Sequence, residues 1–212
     1  AEVTLGVQTD TDDAEGEQIV ARPITCSKEE ANQMLLSFLG KSKQNPPTYS
    51  ALKVHGKPMY KYAREGIKVE KAPRDIEIKT IENISINLPS ISFEVSCSKG
   101  TYIRSIARDL GELLGCGGHL SALKRLTQQD FLLKDAKTLD EINEQDIIPL
   151  EQAFNHLGSV HISEEQLKKF MNGSAIDLSL SENSLLRVYN SENVFIALGR
   201  NSSEGFKHEY LV

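Results

Sequence analysis

"CSKGTYIRSIARDLGELLGCGGHLSALKRL", residues 97–126, decides the fold, because its apolar spacing changes partway along. Up to Thr101 it continues the alternation of "SISFEVSCSKG" (90–100), the mark of a strand. Beyond that point Ile103, Ile106, Ala107, Leu110, Leu113 and Leu114 recur at the spacing of one helix face. Gly115 then stands where a C-terminal cap would. A glycine-rich loop and a second strand-like run follow. The stretch therefore predicts strand, helix, loop, strand, with Tyr102 at the first junction. Were the backbone extended through Arg104, Tyr102 and Arg104 would point the same way; in a helix they diverge. On spacing alone they could be an ordinary strand end, one side chain packed and the other solvated.

The flanking segments supply the rest of a sheet. "DIEIKTIENISINL" (75–88) alternates and should pair with the strand after it. "EVTLGVQT" (2–9) reads as a strand with Val3, Leu5 and Val7 on one face. "SKEEANQMLLSFLG" (27–40) is a predicted helix. Ser27 and Glu30 form a capping box, Leu35, Phe38 and Leu39 its buried stripe, and Gly40 its close. "TDTDDAEG" (9–16) suggests a calcium loop, but counting from Asp10 the sixth position is Glu15, and Gly16 comes one residue late. An acidic turn is the better reading.

Charge is unevenly spread. The net charge of −6 divides into −6 over residues 1–40, +6 over 41–79, +1 over 80–134 and −7 over 135–212. The total argues against indiscriminate nucleic-acid binding, whereas a basic middle between acidic ends suits a polyanion docking on one patch. A solvated lysine-rich face is the plain alternative. That basic stretch includes "QNPPTYSALKVHGKPMYKYAREGIKVE" (44–70), where Pro46-Pro47 exclude a helix and lysines alternate with Tyr49, Tyr60 and Tyr62. With few apolar residues for its length, it is expected to stay mobile until a partner orders it.

Residues 138–158 read as short acidic helices. From Ser159 the character changes: Asn172-Gly173 marks a turn, "SLLRVYN" and "NVFIALG" a hairpin, and "KHEYLV" a final strand, together a small β appendage. Cys26, Cys97 and Cys116 share no metal-ligand spacing, and five scattered histidines add none, so no metal site is expected. Reduced thiols suit a cytoplasmic protein, and no apolar run is long enough to span a bilayer.

Three of these segments, in order, resemble the TruB-type tRNA pseudouridine synthases. "LGVQTDTDDAEG" is similar to that family's LGxxTDTxDxxG segment, residues 44–70 to its RNA-gripping thumb, and residues 97–126 to its core motif. The resemblance implies an α+β fold with a mixed, mainly antiparallel sheet core of pseudouridine synthase type, incomplete at the N-terminus. It divides the chain into a partial catalytic domain (1–158, with a thumb-like insertion at 41–79) and a small PUA-like β domain (159–212). It implies isomerisation of the uridine at position 55, in the T loop of tRNA, without metal or organic cofactor. The partner would be the tRNA T-stem and loop, no membrane would be involved, and a monomer is expected.

The resemblance also assigns roles. Tyr102 matches the tyrosine that contacts the target base, Leu123 a position lining the uridine pocket, and Arg104 the arginine that pairs with the catalytic aspartate. On periodicity alone Leu123 is simply core. Lys53 and Lys57 in the insertion, with Lys99, Lys124 and Arg125, are the expected RNA contacts; His55 is expected to be exposed and uninvolved. The family's nucleophile lies in a GHTGTLDPxATG-like segment, and neither that segment nor the upstream KxYxA tyrosine occurs in these residues. None of Asp10, Asp12, Asp13 or Asp109 has that loop context. The chain is accordingly expected to be part of the enzyme, inactive alone, with Arg104 facing solvent, phosphate or another acid. A non-catalytic T-arm binding protein or RNA chaperone is the rival reading, and a small-molecule enzyme a weaker third.

Overall fold

A computed structural model describes residues 1–67, 69, 72–181 and 183–212. Lys68, Glu70 and Lys71, part of the expected insertion, lie outside the described residues. The chain forms two compact units, Ala1–Arg125 and Leu126–Val212.

In the first unit the elements run β1 (Glu2–Leu5), β2 (Val7–Thr9), β3 (Gln18–Ala21), α1 (Lys28–Leu36), β4 (Gly40–Gln44), β5 (Lys53–Val54) and β6 (Lys57–Pro58). They continue with α2 (Met59–Arg64), β7 (Arg74–Asn87), β8 (Ser90–Cys97), α3 (Ile103–Leu113) and β9 (Gly118–Ala122). Five strands make one sheet in the order β4-β7-β8-β1-β9, every neighbouring pair antiparallel. Helices α1 and α3 pack on it. Val3, Leu5, Ile76, Ile78, Ile91, Phe93 and Leu120 from the strands meet Ala31, Leu35, Ile106, Ala107 and Leu110 from the helices. Each Leu or Ile fully buried in this way contributes about 1.5–3 kcal/mol. The α+β architecture with an antiparallel core is the one the sequence implied.

Three local differences from the sequence reading have physical causes. "EVTLGVQT" is two strands, broken at Gly6, whose φ of 90° few other residues adopt. Helix α1 has the Ser27–Glu30 capping box, but it ends at Ser37; Gly40 instead opens β4, and Leu39 is exposed. In β7 the alternation is interrupted by register shifts at Ile78/Thr80 and Glu82/Ser85. Each bulge inserts a residue and reverses which face follows, so Ile81 is buried with Ile76 and Ile78 despite the odd spacing.

The insertion has structure of its own. Beyond β4 it folds into the β5–β6 hairpin and α2, with Pro47, Ser50 and Met59 buried and the Tyr62 hydroxyl donating to the Val54 carbonyl at 3.2 Å. The segment expected to be mobile until a partner orders it thus has secondary structure and a few buried groups.

Helix α3 lies against β9 with almost nothing between them. A Cβ built on Gly111 would fall 2.1 Å from the Gly118 nitrogen, and the Gly117 N–H donates to the Gly111 carbonyl at 2.8 Å. Gly115, at φ 75°, ends the helix as its position suggested.

The second unit holds hairpin β10 (Thr127–Gln128) and β11 (Phe131–Leu132), short 3-10 turns, then β12 (Ser159–His161), α4 (Glu164–Met171), β13 (Leu185–Tyr189), β14 (Phe195–Ser202) and β15 (Gly205–Leu211). The last four strands form one sheet in chain order, around Ile162, Phe170, Val188, Ala197 and Phe206. The expected hairpin and final strand are present. Helix α4, which the sequence reading passed over, supplies Phe170 to this core.

Candidate active site

Tyr102 is the N-cap of α3, extended at φ −101° and ψ 113°, and the helix proper starts at Ile103. The chain therefore turns helical between Tyr102 and Arg104, and the extended alternative does not apply. Tyr102 is half-buried and outside the core cluster.

Arg104, one residue into the helix, is clasped on three sides. Its Nη1 donates to Asp13 Oδ2 at 2.9 Å and to the Thr11 carbonyl at 3.2 Å; its Nη2 donates to the Tyr49 carbonyl at 2.9 Å. The pair is about three-quarters shielded from water, with side chains 26% and 25% exposed. The acid that Arg104 meets is thus Asp13, 91 residues away in sequence.

The loop that delivers Asp13 is held from within. Thr9 Oγ1 donates to the Asp13 carbonyl at 2.6 Å, Thr11 Oγ1 to Asp13 Oδ1 at 2.6 Å, and the Glu17 N–H to Asp10 Oδ1 at 2.8 Å. Gly16 is required, because a Cβ there would fall 2.2 Å from Thr11 Oγ1. The acidic turn expected from spacing is present, docked on α3 through Asp12 and Asp13, with Ala14 and Glu15 exposed.

A second arginine completes the clasp one helical turn later. Arg108 Nη1 donates to Asp12 Oδ2 at 2.9 Å, its Nε to Asp109 Oδ1 at 2.9 Å, and its Nη2 to the Asn45 carbonyl at 3.1 Å. Two arginines four residues apart thus face one side of the helix and grip two adjacent carboxylates. Burial raises the pKa of Asp12 to about 6, with Arg108 pulling the other way. Burial also lifts Asp109 above the usual carboxylate range, again against Arg108. Burial alone would lower the Arg108 guanidinium; Asp12 and Asp109 outweigh it and hold that pKa above its ordinary value. Arg108 therefore remains a fixed cation near neutral pH.

The other expected residues are less concentrated. Leu123 follows β9 directly and is 57% exposed, which rules out the core position that periodicity suggested. Lys99, Lys124 and Arg125 are exposed beyond β8 and β9. Lys53 is exposed on β5; Lys57 is bonded to Glu65 and lies 4.6 Å from the Tyr62 ring centre. His55 is exposed, as expected. Among the described residues no group of three or more His, Cys, Asp or Glu is placed to hold a metal, and no helix is long and apolar enough to cross a membrane.

Sequence reasoning missed Gln44, Asp13 as a partner, and Arg108. Gln44 is 3% exposed, and its side chain bonds both backbone groups of Tyr102. A polar residue before two prolines gives no periodic signal; only its place in the quoted 44–70 segment marked it. Tyr102 and Arg104 thus stand two residues apart at the start of α3, on a unit that also carries the exposed Leu123, Lys99, Lys124 and Arg125.

Comparison with known proteins bears on what this arrangement serves. Residues 1–103 match the N-terminal domain of the TruB family of pseudouridylate synthases. Residues 104–157 match the tRNA pseudouridylate synthase B C-terminal domain, and residues 158–206 match the family described as pseudouridine synthase II TruB, C-terminal. The tRNA pseudouridine synthase B of Clostridium kluyveri is 40% identical over 216 residues, covering 98% of this chain and 75% of that protein. The protein of the same name from Alkaliphilus oremlandii is 42% identical over 181 residues, covering 83% of this chain and 60% of the relative. Among solved structures, a Cbf5-Nop10-Gar1 complex superposes with a TM-score of 0.66 at 21% identity, covering 99% of this chain and 65% of the matched one. An H/ACA RNP bound to a substrate RNA containing 2'-deoxyuridine gives 0.66 at 19%. At such identities the two structures speak for the fold alone.

Proposed function

The chain belongs to the TruB family of pseudouridine synthases, a family of isomerases, and on that premise we propose that its site serves to convert a uridine of tRNA to pseudouridine. The finer reading is that the uridine is the one at position 55 in the T loop. The observation that carries the proposal is Arg104, fixed by Asp13 and two backbone carbonyls, two residues after the half-buried Tyr102 at the start of α3.

The reaction breaks the bond from ribose C1′ to N1, turns the base, and forms a bond from C1′ to C5. C5 loses its proton to solvent and N1 gains one, so the product is an isomer. A base handled in this way must leave its stack and needs a substitute surface, and the Tyr102 ring suits that purpose. Base-on-aromatic stacking contributes about 1–3 kcal/mol. Leu123, exposed at the end of β9, would border the pocket. Arg104 would keep an attacking carboxylate ionised and aimed, and Asp13 and two backbone carbonyls already fix the guanidinium for that task. The insertion, with Lys53 and Lys57, would hold the T-stem and loop, and Lys99, Lys124 and Arg125 would meet phosphate.

Within the reading, Asp12 and Asp13 are occupied by the two arginines and are not the nucleophile; the 212 residues by themselves do not turn over. The test uses T-arm RNA tritiated at uridine C5. Tritium should appear in water when the chain is extended with the family's aspartate-bearing segment, and not without it. Release from the 212 residues would show that one of these carboxylates attacks. Tight, salt-dependent binding with no release from either form would favour a non-catalytic T-arm binder.

A further inference from the structure

Gln44 ends β4, and its backbone pairs there with Arg74 of β7. Its side chain reaches 58 residues along the sequence to a single residue. Oε1 accepts the Tyr102 N–H at 2.9 Å, and Nε2 donates to the Tyr102 carbonyl at 3.0 Å. At 3% exposure the amide has given up water, so these bonds are what satisfy it.

The pairing imitates a strand neighbour. Strand β8 has ended at Cys97, and Tyr102 has the extended backbone of an N-cap but no side-chain cap of its own. Gln44 supplies the donor and acceptor that a ladder partner would have provided. The Tyr102 carbonyl also accepts the Ile106 N–H at 3.3 Å. The Tyr102 peptide is therefore fixed from the helix side and from the strand side, and with it the direction in which the phenol leaves the backbone.

The next residues extend the contact. The Asn45 carbonyl accepts from Ser105 Oγ at 3.0 Å and from Arg108 at 3.1 Å, and the Tyr49 carbonyl accepts from Arg104. The chain leading into the lysine–tyrosine insertion is thus bonded along the first two turns of α3.

We propose that Gln44 is a positioning residue for the base-stacking surface: it presets the Tyr102 ring to receive the everted base, acting from the root of the segment that grips the RNA. The proposal rests on the reading of Tyr102 as the stacking residue.

The experiment uses the 212-residue chain and a T-arm hairpin with 2-aminopurine beside the target uridine. Fluorescence rises when the neighbouring base leaves the stack. Gln44→Met keeps length and removes both bonds. Its affinity for the hairpin should stay within about twofold of the parent, because the phosphate contacts remain, while the amplitude falls about fivefold or more. Gln44→Glu retains an acceptor for the Tyr102 N–H and loses the donor, and should fall between. Tyr102→Ala serves as the reference for loss of the surface. A parent-like amplitude in Gln44→Met, with the signal lost in Tyr102→Ala, overturns the proposal and leaves the site reading intact. A parent-like amplitude in Tyr102→Ala overturns the site reading itself. If Gln44→Met does not melt cooperatively, Gln44→Glu decides alone, and a parent-like amplitude there overturns the proposal.

Discussion

Replacing Asp12 with asparagine sets burial against ion pairing at a place where the two can be separated. Asp12 is 6% exposed and bonded to Arg108 at 2.9 Å, and its pKa is raised from 3.8 to about 6. A rise of about 2 units corresponds to about 3 kcal/mol, at about 1.4 kcal/mol per unit. The folded state holds the proton more tightly than the unfolded state does. The stability this group contributes is therefore fully present below about pH 4 and is lost as pH rises through about 6. Asparagine has the shape of the protonated acid, and it tolerates the left-handed backbone at this position, φ 62°. Arg108 keeps Asp109 and the Asn45 carbonyl in the variant. Asp12→Asn should thus be about 2–3 kcal/mol more stable than the parent at about pH 8 and little changed at about pH 4. Urea unfolding at both pH values, scored on the transition of the first unit, measures the difference. A variant less stable than the parent at about pH 8, by more than at about pH 4, would refute the reasoning; Arg108 would then outweigh burial, against the usual balance for ions taken out of water.

Other substitutions test other parts of the structure. Arg104→Lys should lower single-turnover conversion by about tenfold or more in a form supplied with the aspartate-bearing segment, because an ammonium cannot reach Asp13 and the Tyr49 carbonyl together; hairpin affinity should hold, and normal turnover would remove Arg104 from the site. Gly111→Ala should destabilise the first unit by about 2–3 kcal/mol or more, seen as a lower thermal midpoint, since its methyl group has no room beside Gly118. Lys53→Glu with Lys57→Glu should weaken hairpin binding and flatten its dependence on salt by about two phosphate contacts; unchanged affinity would take the insertion out of the interface.

What could be read in the sequence was what depends on near neighbours. The Ser27–Glu30 box, the Gly115 cap and the β7–β8 pair rest on spacings of a few residues, and all are present. Even the two bulges are written in "DIEIKTIENISINL", where Ile76, Ile78, Ile81, Ile84 and Ile86 are spaced two, three, three and two. Taken as plain alternation, the segment hides them. The Gly6 break was missed because one left-handed residue leaves the apolar pattern of its neighbours intact. Tyr102 and Arg104 were singled out by motif resemblance, whereas their hydrogen-bond partners were not. Asp13 lies 91 residues from Arg104 and Gln44 58 from Tyr102, and neither distance has a periodic trace. Resemblance put Leu123 at a pocket-lining position and periodicity alone put it in the core; β9 ends at Ala122, and the next side chain emerges into solvent.

The bare backbone seam between α3 and β9 leaves no side chain whose repacking could part the two elements. With no methyl group between Gly111 and Gly118, a neighbouring mutation has little means of nudging the helix sideways or rolling it. Change in the surroundings of Tyr102 is therefore left to the loops, while the axle at whose end it stands stays fixed.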